Sequence, residues 1–271
     1  MSDIKGKTVL VTGGASGIGM RMGKLCLEAG ARRLIIWDID ENALQQVAQT
    51  LTDSGYEVLT NVVDVGDRQA IVEHAQQVLR EVGAVDILFN NAGIVVGKRF
   101  EVHSHSEIEK TIQINVLALM HLTRELLPAM LEQGSGHIIN IASAAGLIAN
   151  PRMSVYAASK WAVVGWSHSL RLELEALQKD LHVTTVMPSY IKTGMFEGVK
   201  APTLTPLLEP DAISRRIIEA VKNNRAEVKA PYIVNWLPFL KGILPLRWFD
   251  RVASAMGVYS SMESFKGRQK A

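Results

Sequence analysis

The stretch Lys7-Thr8-Val9-Leu10-Val11-Thr12-Gly13-Gly14-Ala15-Ser16-Gly17-Ile18-Gly19 decides the fold. Residues 7–12 are apolar and rich in β-branched side chains and read as a strand, and from 17 to 29 apolar residues recur at three and four, the period of a helix. Between strand and helix lies a glycine turn. Glycine lets the backbone turn tightly and approach a phosphate closely, and the free N–H groups and dipole at the helix start would meet the negative charge. Gly13, Gly17 and Gly19 form the key trio, with Ser16 and Ile18 set between them. Their spacing is G-x-x-x-G-x-G and not the commoner G-x-G-x-x-G, so the strand–turn–helix context carries the reading.

Working outward, further strands are expected at 33–37, 57–62, 85–89, 136–142, 182–187 and, weakly, 226–229. Helical patterns fall at 40–53, 67–82, 106–132, 154–179 and 210–224. Strands alternating with helices predict repeated βαβ units, and right-handed crossovers put helices on both faces of a parallel sheet. The fold class is therefore α/β, a Rossmann-like doubly wound seven-stranded parallel sheet in strand order 3-2-1-4-5-6-7, forming a single domain over 1–271. The pattern breaks after Thr193: residues 194–209 and 231–271 read as substrate-side or lid segments, the first rich in Pro and Thr, the second aromatic and split by prolines.

Composition narrows the function classes. The chain has 271 residues, 48% hydrophobic and 21% charged, which suits a soluble protein with a full core and excludes disordered and fibrous classes. Lys+Arg 29 against Asp+Glu 27 gives a net charge of +2, too balanced for a protein that binds by neutralising many phosphates, so nucleic acid is not expected as a partner. The one cysteine, Cys26, allows no intrachain disulfide and no Cys-based zinc site. With no secretory signal pattern and no apolar run of about 18 residues, a cytoplasmic location is expected.

Asp38 closes the second strand, where a carboxylate can accept from both ribose hydroxyls of an adenosine and would repel a 2′-phosphate. No Lys or Arg stands at 14, 15 or 39 to offset that repulsion, so NAD(H) is expected over NADP(H). The competing reading of Asp38 is an N-cap for the next helix. Asp64 and Val65, after the third strand, are expected at the adenine edge, with turn chemistry as the alternative for Asp64.

Tyr156 and Lys160 are four apart in a helical pattern and share a face. Positive charge from Lys160 and an oxidised nicotinamide would favour the phenolate, making Tyr156 a plausible proton acceptor. The glycine trio, Asn90-Asn91-Ala92-Gly93 after the fourth strand, Asn115, Ser143 and Tyr156-x-x-x-Lys160 together resemble the short-chain dehydrogenase/reductase family in order and spacing, over about residues 5–195. The resemblance implies that Tyr156 is the general acid/base and that Ser143 holds the substrate oxygen. It implies that Lys160 binds the nicotinamide ribose and lowers the Tyr156 pKa, and that Asn115 anchors a water in the proton relay. Asn90, with Ala92 and Gly93, would lie at the cofactor, and Ile191 and Thr193 would meet its carboxamide end. Where the family often has Pro-Gly, this chain has Pro188-Ser189. A serine nucleophile is the rival reading of Ser143, but no G-x-S-x-G elbow exists in the chain.

Residues 231–249 carry Tyr232, Trp236, Phe239, Trp248 and Phe249, flanked by Lys241, Arg247 and Arg251. They read as a lid over an apolar substrate pocket, as a surface touching lipid, or as a subunit interface or core-packed helix. This segment and the closing 262–268 resemble the branch of the family that holds retinol dehydrogenases and lipid-droplet 17-beta-hydroxysteroid dehydrogenases. That resemblance implies a small apolar alcohol or carbonyl substrate of retinoid, steroid or long-chain type. Membrane-associated members of the branch carry an apolar N-terminal anchor not seen here, so any peripheral lipid contact is expected through 231–249. The resemblance also implies a homodimer or homotetramer, with 106–132 and 154–179 as the candidate interface. The alternatives are a 3-oxoacyl-thioester reductase and a non-catalytic NAD(H)-sensing protein. His103 and His105, read in a polar loop, lack metal-ligand spacing, and no metal is expected.

Overall fold

Seven strands pair in parallel in the order β3-β2-β1-β4-β5-β6-β7 in a computed structural model that describes residues 3–267. They are β1 (Thr8–Thr12), β2 (Arg33–Asp38), β3 (Val58–Val62), β4 (Ile87–Asn90), β5 (Ser135–Ile141), β6 (Asp180–Pro188) and β7 (Glu227–Ala230). The expected strand order and all seven strands are present, and the weak signal at 226–229 is β7. Residues 1, 2 and 268–271, which the sequence reading includes in the domain and its closing segment, lie outside the described residues.

The central strands are buried on both faces, which explains why they read as continuous apolar runs. Val9 and Val11 of β1 and Leu34 and Ile36 of β2 join one core with α1 (Gly17–Glu28) and α7 (Pro210–Lys222). The alternate residues Leu10, Ile35 and Trp37 join a second core with α3 (Arg68–Val82), α5 (Ala118–Gln133) and α6 (Ser154–Glu175). Helix α2 (Glu41–Asp53) packs beside β3. The doubly wound arrangement leaves the carboxyl ends of β1, β4, β5 and β6 on one edge, and the order reverses between β1 and β4, the place where such sheets open a crevice.

The helix expected at 106–132 is present with an interruption. Helix α4 (His105–Ile112) runs through a π-helical turn, Gln113–Leu117, into α5. Ser104 caps α4 through a reciprocal pair with Glu107, so His105 opens a helix and does not sit in the loop. The stretch His105–Gln133 is long and apolar enough to cross a membrane by length and composition, which corrects the expectation of no such run. Half of its most apolar window is buried inside the protein, as in a core helix. Helix α6 ends at Glu175 and not near 179, and Gln178 just beyond adopts a left-handed φ of 54°. The proline-split segment near the C-terminus forms two short helices, α8 (Leu237–Ile243) and α9 (Leu246–Ala255).

Candidate active site

The turn between β1 and α1 has the conformation its glycines allow. Gly13 and Gly17 are left-handed at φ 61° and 58°, and a Cβ at Gly19 would run into the Gly13 carbonyl oxygen. Two side chains tie the turn to the segment that follows β4. Thr12 Oγ1 accepts from the N–H groups of Asn91 (3.0 Å) and Ala92 (3.1 Å). Asn91 Nδ2 donates to the carbonyls of Thr12 and Gly13 at 2.9 and 3.0 Å. Sequence alone assigned a role to neither Asn91 nor Thr12; bonds spanning 79 residues have no local signal. Ser16 is the N-cap residue of α1, yet its side chain makes no capping hydrogen bond.

A cleft of about 320 Å³ runs from this turn along the carboxyl edge of the sheet. Gly13, Ser16, Gly17, Ile18, Asp38, Asp64 and Val65 line one end; Ala92 and Gly93 lie midway; Ser143, Tyr156, Lys160, Ile191 and Thr193 line the other. Gly19, Asn90 and Asn115 stand behind the wall. Asp38 Oδ2 accepts from Ala15 N–H at 3.0 Å and Oδ1 from Asp40 N–H at 3.2 Å. The cap of α2 is Asp40, which accepts from Ala43 N–H, so the N-cap reading of Asp38 is set aside. Asp64 is exposed and holds the Gly66 N–H at 2.8 Å, so turn chemistry occupies one of its oxygens. Trp37, Ile39, Met195 and Phe196 also line the cleft and were not singled out from sequence. Apolar residues beside a strand end carry no motif.

Asn90 is buried and donates to Thr123 Oγ1 (3.0 Å) and Asn140 Oδ1 (2.8 Å), cross-linking β4, β5 and α5 under the cleft. Asn115 sits in the π-helical turn. Its amide donates to the Ile94 carbonyl (2.9 Å) and Ser159 Oγ (3.1 Å), and its carbonyl oxygen accepts from Ile94 N–H (2.8 Å). Ser159 Oγ in turn donates to the Tyr156 carbonyl at 2.6 Å. Both amide hydrogens of Asn115 are thus taken by protein groups, and the side chain ties the loop after β4 to the turn of α6 that carries Tyr156.

Ser143 follows β5; its Oγ accepts from Ala145 N–H at 3.1 Å and faces the Pro188 carbonyl at 3.3 Å. Tyr156 lies in the first turn of α6, buried, with its ring edge-on to Phe196 at 6.3 Å between centroids. Lys160, one turn on, donates to the Ile141 carbonyl at 2.8 Å, with its Nζ 5.7 Å from the Tyr156 ring centre. Gly146 lets α6 come this close, because a Cβ there would stand 2.7 Å from the Lys160 carbonyl.

Burial governs both ionisations. It lowers Lys160 from its ordinary 10.5 to about 8 and pushes the Tyr156 phenol upward, while the Ser143 hydroxyl pulls the phenol the other way. The Lys160 ammonium is turned to the Ile141 carbonyl, and the Ser143 hydroxyl is a group that favours the phenolate.

A second cavity of about 140 Å³ lies beyond Ser143, lined almost wholly by apolar groups such as Ile148, Met153, Leu237, Leu240 and Phe249. Ser143 and Ser189 line both spaces. At the rim, the Tyr190 hydroxyl lies 2.7 Å from the Asn150 amide and 2.8 Å from Ser261 Oγ.

A glycine cradle for a dinucleotide joined to a Ser–Tyr–Lys cluster at the end of a doubly wound sheet defines a pyridine-nucleotide oxidoreductase. The chain belongs to the short chain dehydrogenase family, whose model matches residues 7–203. It is 36% identical over 272 residues to epidermal retinol dehydrogenase 2 of Mus musculus, covering 99% of this chain and 88% of that one. It is 35% identical over 246 residues to estradiol 17-beta-dehydrogenase 11 of Homo sapiens, covering 90% and 81%. Among solved structures, a short chain dehydrogenase/reductase from Burkholderia phymatum in complex with NAD superposes with a TM-score of 0.80 at 27% identity, covering 94% and 97% of the two chains. A metagenomic short-chain oxidoreductase in complex with NADP superposes at 0.72 with 30% identity, covering 84% and 98%.

Proposed function

We propose that the protein interconverts a bulky apolar alcohol, of retinoid, steroid or long-chain type, with its carbonyl, using NAD(H) in preference to NADP(H). The observation that carries this reading is the meeting of two spaces at Ser143: a nucleotide cleft on one side and an apolar pocket walled by residues 233–258 on the other. Segment 231–258 supplies that wall, in keeping with a substrate-side role.

The residues of the cleft fit a dinucleotide. The glycine turn offers backbone where side chains would collide, and the Asp38 carboxylate stands at the end of β2 with no cation at 14, 15 or 39 to receive a 2′-phosphate. Gly13, Ser16, Gly17 and Ile18 would hold the pyrophosphate, Asp38 the adenosine ribose, Asp64 and Val65 the adenine, and Ile191 and Thr193 the carboxamide end. When bound, the cofactor accepts a hydride from the carbinol carbon in oxidation and supplies one in reduction. The alcohol hydroxyl meets Ser143 Oγ, which orients it, and passes its proton to Tyr156. In reduction Tyr156 protonates the carbonyl oxygen, a task that suits a phenol kept neutral by burial. Lys160, held on the Ile141 carbonyl, lines the cleft, where its ammonium would meet the nicotinamide ribose. Asn115 keeps the Tyr156 turn in place.

A 3-oxoacyl-thioester reductase would want a basic group at the pocket, and none of the residues lining it is Lys or Arg. A sensor without turnover would have no need of Ser143, Tyr156 and Lys160 together. The reading includes self-association through the helical spans 106–132 and 154–179, with Trp161 and Leu172 of α6 exposed; sedimentation velocity checks it. NADH absorbance with a panel of retinol, hydroxysteroids, long-chain and short alcohols tests the function, beside Tyr156→Phe. Turnover confined to bulky apolar members and lost in the variant supports it. Turnover of short alcohols alone, or silence with NADH binding intact, overturns it.

A further inference from the structure

Three segments far apart in sequence meet on one phenol. Tyr190 stands at the neck of the loop that follows β6: its carbonyl accepts from Leu208 N–H at 2.8 Å and Ile191 bridges to Leu208, so the chain between leaves and returns at one point. The Tyr190 hydroxyl lies 2.7 Å from the Asn150 amide, in the connection between β5 and α6, and 2.8 Å from Ser261 Oγ. Ser261 belongs to a strap, residues 256–267, that runs along the loop. Thr203 N–H donates to the Met256 carbonyl at 2.8 Å, Lys200 N–H to that of Ser261 at 3.0 Å and Lys266 N–H to that of Glu197 at 2.9 Å. The two backbones are so close that a Cβ at Gly198 would stand 2.2 Å from the Ser264 carbonyl oxygen. Chain ends ordinarily fray, yet Ser261 and Met262 are buried, and Met262 packs in one apolar cluster with Tyr156 and Tyr190. Phe196, from the loop, stands edge-on to both tyrosines, its ring centre 5.1 Å from that of Tyr190 and 6.3 Å from that of Tyr156.

We infer that Tyr190 is a positioning residue with two parts: its hydroxyl is the catch that holds the strap, and with it the loop 194–205, shut over Tyr156, and its ring seats Phe196 against Tyr156. The phenol is where the strap, the neck of the loop and the β5–α6 connection are bonded together, and a buried hydroxyl with partners on both sides is costly to pull apart. Main-chain bonds make strap and loop one body, so releasing the catch frees both. Tyr156 is only 5% exposed with the strap in place, and an alcohol on its way to Ser143 and Tyr156 needs the room that an open strap gives. Closing afterwards keeps water from the proton transfer. Pro202 and Thr205 of the loop and Met256 and Val258 of the strap also line the apolar pocket, so both halves of the lid touch what the pocket holds. The inference rests on the dehydrogenase chemistry of the site and not on the class of alcohol proposed above.

Hydrogen exchange of the full chain, resolved by peptide mass with and without NADH, tests the catch without any turnover. Tyr190→Phe keeps the ring and removes the hydroxyl, and Ser261→Ala removes the other end of the same bond. Thermal unfolding shows that each still folds, and Ser261→Ala, the smaller change, carries the test alone if the other does not. Amides in 197–203 and 256–266 should exchange about tenfold faster in either variant, both segments in step, and no faster in the double variant, because both changes break one bond. Oxidation of retinol with NAD is the second readout: Tyr190→Phe should raise KM about tenfold with a smaller change in kcat, and Tyr190→Leu, which also loses the ring, should lower kcat as well. Exchange in the two segments as slow as in the wild type overturns the inference, as does acceleration of one segment alone, acceleration shared by the whole sheet, or fully additive effects in the double variant. Wild-type silence toward retinol and every other alcohol removes the function proposed above and leaves exchange to decide the catch.

Discussion

Replacing Lys160 by methionine tests the balance between stability and chemistry at the site. The lysine is buried with its Nζ on the Ile141 carbonyl at 2.8 Å, and burial has moved its pKa from 10.5 to about 8. Between those values an unfolded chain keeps a proton on this lysine that the folded chain has released, so stability rises with pH across that window. Worked through the linkage relation, the buried ammonium costs about 3 kcal/mol near pH 7 and about 1 kcal/mol near pH 10. Lys160→Met removes that term and leaves the Ile141 carbonyl without its donor, a loss of about 1–2 kcal/mol. The variant should be more stable than the wild type by about 1–2 kcal/mol near pH 7, a Tm gain of roughly 2–6 °C, and no more stable near pH 10. Turnover should be lost at both. Thermal unfolding of the two proteins by circular dichroism over this range is the assay, and taking their difference cancels every other titrating group. A Tm difference that does not change with pH would refute the reasoning.

Tyr156→Phe should lower turnover by about 10²–10⁴-fold while NADH binding and the unfolding curve stay as in the wild type; comparable turnover would remove Tyr156 from the proton path. Because burial raises the Tyr156 phenol, the oxidation rate should still climb through the alkaline range while reduction holds steady near neutrality, which stopped-flow pH profiles in both directions will show. Asp38→Ala should weaken NAD(H) binding and bring the Kd values for NADH and NADPH, measured by fluorescence, closer together; a ratio unaltered by the change would sink the Asp38 argument. Gly19→Ala places a methyl against the Gly13 carbonyl and should lower stability by about 1–3 kcal/mol and abolish nucleotide binding, as calorimetry would register.

The sheet was legible because both its faces are covered: Val9-Leu10-Val11 and Leu34-Ile35-Ile36 feed opposite cores in alternation, and such strands stand out as apolar runs. The π-helical turn was not, because one extra residue leaves the periodicity of 106–132 nearly unchanged while shifting which face Asn115 presents. At the site, Ser143, Tyr156 and Lys160 were readable from type and spacing, and the structure brings all three to one end of the cleft. The bracing of the glycine turn by Thr12 and Asn91 could not be read, since the partners meet only after β1 and β4 pair. Nor could the direction of the Lys160 ammonium, which depends on the Ile141 carbonyl arriving from β5. The prolines at 238 and 245 marked breaks correctly, yet Pro238 falls in the first turn of α8 and Pro245 immediately before α9, positions where proline starts helices as readily as it ends them.

The widened turn at Gln113–Leu117 sets a rule for how this chain can diverge. Every residue added to or removed from a helix rotates the remainder of that helix by about 100°. Losing one residue here would restore a regular helix with α4 and α5 still in register, but it would swing Asn115 away from Ile94 and Ser159. Side chains in this span can drift while the number of residues cannot. Insertions and deletions accumulating among descendants of this sequence should accordingly spare 113–117.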